Sequence, residues 1–439
     1  MQITKERDFT FRRFSDLGEL DWYVSGPVLI LISFGFLLLT SASEGLYLSK
    51  QFSYLFFAFL IASTAILLRI KFWQEIALWI YIVNIVFLIF VLIVGTTAMG
   101  AQRWIHIGPI NIQPSELAKI AIIISLAAWF AKRPITSYMD IFLSALIVFP
   151  PILLIIKQPD LGTSLCFAAI FLGMAFWAGA TFTHLLVVMS PLLSLISNAA
   201  GSVLFSIGNI SFNGRLIELS VTNVFFLFLV FLLIWIIIHY KPWKSPWIVL
   251  FISTIVFLNF TFGFIRPVLW SLLKPYQQQR IIVFLNPESD PQGAGYHIVQ
   301  SLLAIGNGGL FGYGWLKGRL TKGNYVPAQH TDFVYSIAGE EFGFIGATLV
   351  IVLFFILLWR AIYIARYSND RFASLLAVGI FSFFAFHIFV NIGMTIGLMP
   401  ITGVPLPFLS YGGSALVADL FAIFLLLSIS WRVLPKKMF

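Results

Sequence analysis

The chain has 439 residues, of which 60% are hydrophobic and only 10% charged, with 47 phenylalanines. A soluble protein is normally about 45–50% apolar, so this composition excludes a soluble enzyme and indicates an integral membrane protein. The formal net charge of +9 would suggest nucleic acid in a soluble chain; here it reads as topology, and no nucleic-acid partner is expected.

In chain order, residues 1–22 are mixed in charge with no small-residue cleavage site after the first apolar run, which predicts a cytoplasmic tail and an uncleaved first span. A bilayer core about 30 Å thick needs roughly 20 apolar residues per helix. Such runs lie near 24–41, 52–69, 75–97, 115–131, 141–157, 162–181, 185–206, 222–240, 246–265, 342–360, 373–394 and 408–431. The pattern predicts an all-α polytopic protein of about 10–12 spans. One set of loops collects Arg12, Arg13, Arg69, Lys71, Lys132, Arg133, Lys241, Lys244, Arg360, Arg366 and Arg371. The short loops of the other set hold only Lys50, Arg103, Lys157 and Arg215. By the positive-inside rule both termini are cytoplasmic and the segment from 266 to about 341 lies outside. Cys166, the only cysteine, sits in an apolar run, which rules out an intramolecular disulfide and cysteine-based zinc sites.

Three polar interruptions fall on the outer side. In "GAQRWIHIGPINIQPSELAKI" Pro114 and Ser115 suit a helix start, and Glu116 and Lys119 follow at i and i+3 on one face. On residues alone, the simple reading is a local ion pair with Lys119 reaching toward water, although ionisable groups in a span are functional candidates. In "IIKQPDLGTSL" the residues Gln158, Pro159 and Asp160 are ordinary turn chemistry between two spans. The segment 266–341 offers Lys274 and Arg280 to an anion and the carboxylates Asp290, Asp332, Glu340 and Glu341. A lid packed on the helix ends, with its charges in water, would look the same. Its glycine run lacks both Walker A and GxGxxG spacing. Inside the spans, His387 and Asp419 stand almost alone beyond Lys119, with Glu75 at a helix start. Charge concentrated at the outer surface suits a substrate in the outer leaflet with an anionic head.

The blocks "GAQRWIHIGPINIQPSELAK", "QPDLGTSL", "NPESDPQGAGYHIVQS", "HTDFVYSIAGEEFGFIG" and "NIGMTIGLMPITGVPLPFLSYGGSALV" resemble, in order, those of the SEDS family (shape, elongation, division and sporulation). "GVPLPFLSYGGSAL" and "SDPQGAGYH" side with its elongation, RodA-type branch. The resemblance implies a peptidoglycan glycosyltransferase that polymerises lipid II into undecaprenyl-diphosphate-linked glycan at the outer face of the bacterial inner membrane. It also implies a class B penicillin-binding transpeptidase as partner. The family usually has 10 spans, so residues 185–245 are expected to be an inserted pair that preserves parity.

An α-linked diphosphate donor and a β-1,4-linked product require a single inversion at the anomeric carbon. Since a diphosphate is a competent leaving group, one general base and cations suffice. By motif position Asp290 is the base, with Glu288 a weaker neighbour. Arg103, Lys119, Lys274 and Arg280 are expected at the diphosphates, where a divalent cation could replace or assist them. Glu116 is expected to orient Lys119. Asp160, His330, Asp332 and Ser414 match family blocks, with structural roles equally open. The competing readings are a lipid II flippase, which needs a polar path through the bundle, and a non-catalytic scaffold for the transpeptidase.

Overall fold

The computed structural model describes residues 21–43, 45–98, 101–107, 110–182, 184–185, 188–189, 206–212, 215–220, 275–285, 290 and 293–433. Nine of the twelve apolar runs appear as helices: α1 (Trp22–Ser43), α2 (Leu48–Leu67), α4 (Ala77–Val94), α5 (Pro114–Lys132), α6 (Tyr138–Lys157), α7 (Leu161–Trp177), α11 (Val334–Tyr367), α12 (Arg371–Thr395) and α13 (Gly413–Val433). All but α7 are long and apolar enough to cross a membrane. A short α3 (Ile70–Glu75) precedes α4, so Glu75 closes one helix rather than opening the next. The runs 222–240 and 246–265, most of 185–206 and the tail 1–20 lie outside the described residues.

Strands supplement the helices. The Ile-rich stretch before α5 forms β1 (Thr96–Ala98), β2 (Ala101–Ile107) and β3 (Ile110–Ile112), an antiparallel sheet in order β1-β2-β3. Alternating β-branched residues around the Gly-Pro of the sequence favour a hairpin over a plain loop. A second hairpin pairs β4 (Ser206–Phe212) with β5 (Arg215–Ser220) inside the region expected to hold inserted spans.

Burial separates two layers. The spans of α5, α12 and α13 are 72% buried, against 22% for α2 and α4. The first three form the centre, and the outward faces of α2 and α4 suit lipid, where apolar exposure carries no penalty. Chain alternation then puts the turn at 45–47, the β1–β3 sheet and the segments 158–160, 308–333 and 396–412 at one end of the bundle. Helices α8 (Pro275–Leu285) and α9 (Ala294–Asn307) cover that end, with a small core of Val283, Ile298, Ala304, Val326, Phe333 and Ile401.

Helix α11 is longer than any apolar run. Thirty-four residues span about 50 Å at 1.5 Å each, well beyond a bilayer core. Gly343 kinks it at φ +63°, and a Cβ there would meet the Leu310 carbonyl oxygen at 2.6 Å, so only glycine serves. The stretch after the kink, 344–367, is by itself long enough to cross a bilayer core, so the stretch before it extends beyond. Glu340 and Glu341, read as surface carboxylates, are buried in α11 before the kink. They fasten the glycine-rich loop: Glu340 accepts from the Leu320 and Thr321 N–H groups at 2.7 and 2.9 Å, with Thr321 part of α10 (Arg319–Lys322). Glu341 accepts from the Ser41 hydroxyl and the Gly318 N–H.

At the opposite end Arg360, counted above as a loop charge, is 4% exposed. Its Nε donates to Asp21 Oδ2 at 2.7 Å, and Ser430 donates to the same oxygen at 2.6 Å.

Candidate functional site

The loop-rich end gathers most of the residues singled out above. Asp290 precedes α9 and is partly buried. Its Oδ1 accepts the Gly293 N–H at 2.9 Å and its Oδ2 accepts Gln279 Nε2, from α8, at 2.8 Å. A Cβ on Gly293 would lie 2.8 Å from the carboxylate carbon, so glycine is what lets the carboxylate settle on this helix start. Glu288 and Lys274 lie outside the described residues.

Arg280, on α8, reaches the same neighbourhood. A Cβ on Gly403 would be 3.6 Å from Asp332 Oδ2 and 3.9 Å from Arg280 Nη1, which places that cation beside that carboxylate. Gly403 adopts φ +74°, which keeps a side chain out of the gap. Burial pushes the Asp332 carboxyl above the usual carboxylate range, and Arg280 opposes this. His297, one turn into α9, is held below the usual histidine range by burial and then by Arg280, against the pull of Asp290. Its imidazole is therefore neutral near pH 7, and its ring leans on Phe333 at 5.9 Å. Asp290, His297, Arg280 and Asp332 thus form one electrostatic patch of alternating carboxylates and a cation.

Arg103 does something different from the expected anion clamp. Its Nε donates to the Gln158 carbonyl at 2.8 Å and a second nitrogen donates to the Pro159 carbonyl, with Asp160 Oδ2 3.8 Å away. The guanidinium holds the turn between α6 and α7, using donors a diphosphate would need. Asp160 caps α7 through the Thr163 N–H at 3.1 Å. Ser414 accepts the Gln113 N–H at 2.9 Å and donates to the Asn111 carbonyl at 3.0 Å, tying α13 to β3. His330 stacks on Tyr47 with ring centroids 4.9 Å apart, and its carbonyl accepts the Tyr411 N–H. These three make contacts with the frame beside the patch.

Lys119 departs furthest from expectation. It is 1% exposed, with Nζ 2.8 Å from Glu116 Oε2 and 3.0 Å from His387 Nε2. The Glu116 pairing is as expected, but the cation points into the bundle rather than toward a surface ligand. Sequence reasoning set His387 and Asp419 aside as isolated; helical spacing on three different helices carries no sign that they converge on Lys119.

Fold and site define a polytopic helical membrane protein with a carboxylate–guanidinium patch at one end of its bundle. A family model for cell cycle proteins of the FtsW, RodA and SpoVE type matches residues 22–212 and 218–433. The chain belongs to this family. It is 33% identical over 440 residues to the peptidoglycan glycosyltransferase RodA of Treponema pallidum, covering 96% of this chain and 100% of that one. It is 36% identical over 363 residues to stage V sporulation protein E of Bacillus subtilis, covering 82% and 80%. Among solved structures, a chain of a peptidoglycan synthase complex described as coordinating polymerization and crosslinking superposes with TM-score 0.69 at 27% identity, over 94% and 97% of the two chains. The Thermus thermophilus rod shape determining protein RodA superposes with TM-score 0.60 at 25% identity, over 94% and 98%.

Proposed function

We propose that this protein is a peptidoglycan glycosyltransferase of the elongation type, polymerising lipid II at the outer face of a bacterial cytoplasmic membrane. The observation that carries the reading is the Asp290 carboxylate, held by Gln279 and Gly293 in the same patch as Arg280. Asp290 takes the proton from the acceptor 4-hydroxyl as that oxygen attacks the anomeric carbon of the donor. The bond to the polyprenyl diphosphate breaks with its electrons on the leaving group. Arg280 stabilises that charge, with Lys274 as a further cation from the same segment and Arg103 acting through the 158–160 turn. One displacement inverts the anomeric centre, as the α-linked donor and β-linked product require.

Loop charges support cytoplasmic termini, and an inserted pair within 185–245 keeps the site outside. A class B penicillin-binding transpeptidase is the proposed partner, supported by the likeness to a chain of a synthase complex. The flippase reading loses ground because Glu116, Lys119 and His387 bond one another instead of lining a path.

Purified protein with its partner should make glycan from lipid II, and Asp290→Asn should lower the rate by about 10²–10⁴-fold. Polymerisation by Asp290→Asn at the wild-type rate would overturn the reading. A chelator arm decides whether a divalent cation assists. Among the described residues no three His, Cys, Asp or Glu side chains gather as a metal cage. Such an ion would be held by substrate phosphates and one or two carboxylates, as magnesium commonly is.

A further inference from the structure

The loop between α12 and α13 forms the floor beneath Arg280 and Asp332, yet it has no secondary structure of its own. Val404, Leu406, Phe408 and Leu409 are buried, so its backbone polar groups need partners from elsewhere. Backbone carbonyls serve its two ends, and three partners in its middle are side chains inside the bundle. Asn391 on α12 donates to the Val404 and Asp332 carbonyls, each at 2.8 Å. Four residues earlier, on the same face, His387 Nδ1 lies 3.1 Å from the Pro405 carbonyl oxygen. Asp419 on α13 accepts from the Phe408 backbone, at a residue with φ +65°. Ser410 closes the loop, accepting from the Leu406 N–H at 2.8 Å and donating to the Thr331 carbonyl at 2.6 Å.

His387 differs from the other pins because its second nitrogen is also engaged. A lysine ammonium only donates, so the Nε2 that lies 3.0 Å from Lys119 Nζ must accept. The ring hydrogen is then on Nδ1, where it points at Pro405. The tautomer is fixed at both ends, and the ring is a strut between the Lys119–Glu116 pair and the loop. Rise per residue puts this layer near the site: Lys119 is five residues from the start of α5 and Asp419 six from the start of α13, which is about 8–9 Å.

We propose that His387 is a positioning residue for the transferase reaction, one that ties the buried Lys119–Glu116 pair to the Pro405 carbonyl and so fixes the loop on which Arg280 and Asp332 rest. The role rests on the reading of the site given above. It is a role in geometry, since His387 is 3% exposed and cannot meet substrate. Misplacement of a supporting group by about 1 Å can cost a hundredfold in rate; loss of this strut should lower kcat at least tenfold and leave KM within about twofold.

The test uses the full-length protein with its partner. His387→Leu removes both bonds. His387→Gln keeps them in principle, its amide oxygen accepting from Lys119 and its NH₂ donating to Pro405, and should restore most of kcat. The chain supplies its own reporter background, because Cys166 is fully buried. A Thr402→Cys substitution therefore adds one reactive thiol on the loop. In the His387→Leu background maleimide labelling at 402 should accelerate several-fold while Cys166 stays silent. Wild-type kcat in His387→Leu, unchanged labelling at 402, or a His387→Gln variant as slow as the leucine variant would each overturn the proposal. Labelling of Cys166 as well would also overturn it, because it would show the bundle opening and a merely structural role. An active Asp290→Asn control would instead sink the assignment of Asp290 as the base, so the two failures are distinguishable.

Discussion

The bundle holds two buried ionic knots, one at each end, made from the same kinds of residue. At the site end Lys119 is bound by Glu116 and His387; at the other Arg360 is bound by Asp21 and flanked by the rings of Tyr23 and Tyr363. The difference lies in what each knot touches next. Asp21 and its partners join α1, α11 and α13, elements that carry no reacting group. The Lys119 knot passes through His387 to the Pro405 carbonyl of a loop that Asn391, Asp419 and Ser410 also hold. Equal chemistry should thus give unequal consequences: loss of stability at one end, loss of rate at the other.

The largest break comes from Arg360→Leu, which leaves Asp21 buried without its cation. Removing one partner of a buried pair costs about 3–5 kcal/mol. Thermal melting should fall steeply and activity with it, and the double variant Asp21→Asn with Arg360→Met should recover most of the melting temperature. A parallel experiment at the site end, Glu116→Gln with Lys119→Met, should keep the fold near wild-type stability by the same logic and still lose polymerisation at least tenfold. If both double variants behaved alike in both measurements, the contrast between the knots would collapse.

Gly343→Ala sharpens the contrast at a backbone position. Its positive φ, and a Leu310 oxygen only 2.6 Å from where the alanine Cβ would sit, predict a loss of about 1–3 kcal/mol, concentrated in the contact between α11 and the glycine-rich loop. Hydrogen exchange should show that loop opening before the bundle does.

The smallest effect is a pH dependence to which the site end contributes two imidazoles. His297 and His330 are both held below the usual histidine value by burial, so the folded state favours their neutral forms. The unfolded chain binds more protons once pH falls below about 6.5, and stability should decline from there toward the lower folded values. Melting in detergent should drop by a few degrees between pH 7 and 5, with a shallower slope in His330→Gln. A flat profile would show that neither imidazole is desolvated.

Much of this was legible in the chain. Apolar runs of bilayer length located nine helices, and the polar interruptions around Arg103, Asp160 and Asp290 do meet at one end of the bundle. Besides Arg103 and Glu75, a group of readings departed from expectation for one shared reason. Arg360 looked like a loop charge, Glu340 and Glu341 like surface acids, and Lys119 like an anion ligand, because a one-dimensional hydropathy pattern records where a charge interrupts an apolar run but not which neighbour meets it. Each turned out buried and bonded to a residue distant in sequence, Lys119 to His387 and Arg360 to Asp21.

Composition and periodicity by themselves determined a helical membrane protein with its polar chemistry gathered at one surface, because the cost of placing backbone and charge in a bilayer leaves few other arrangements. Only the tertiary structure decided which charges are bonded into the frame and which gather at the loop-rich end. That choice depends on contacts between α5, α12 and α13 and the loop they support, and such contacts leave no local signature in the chain.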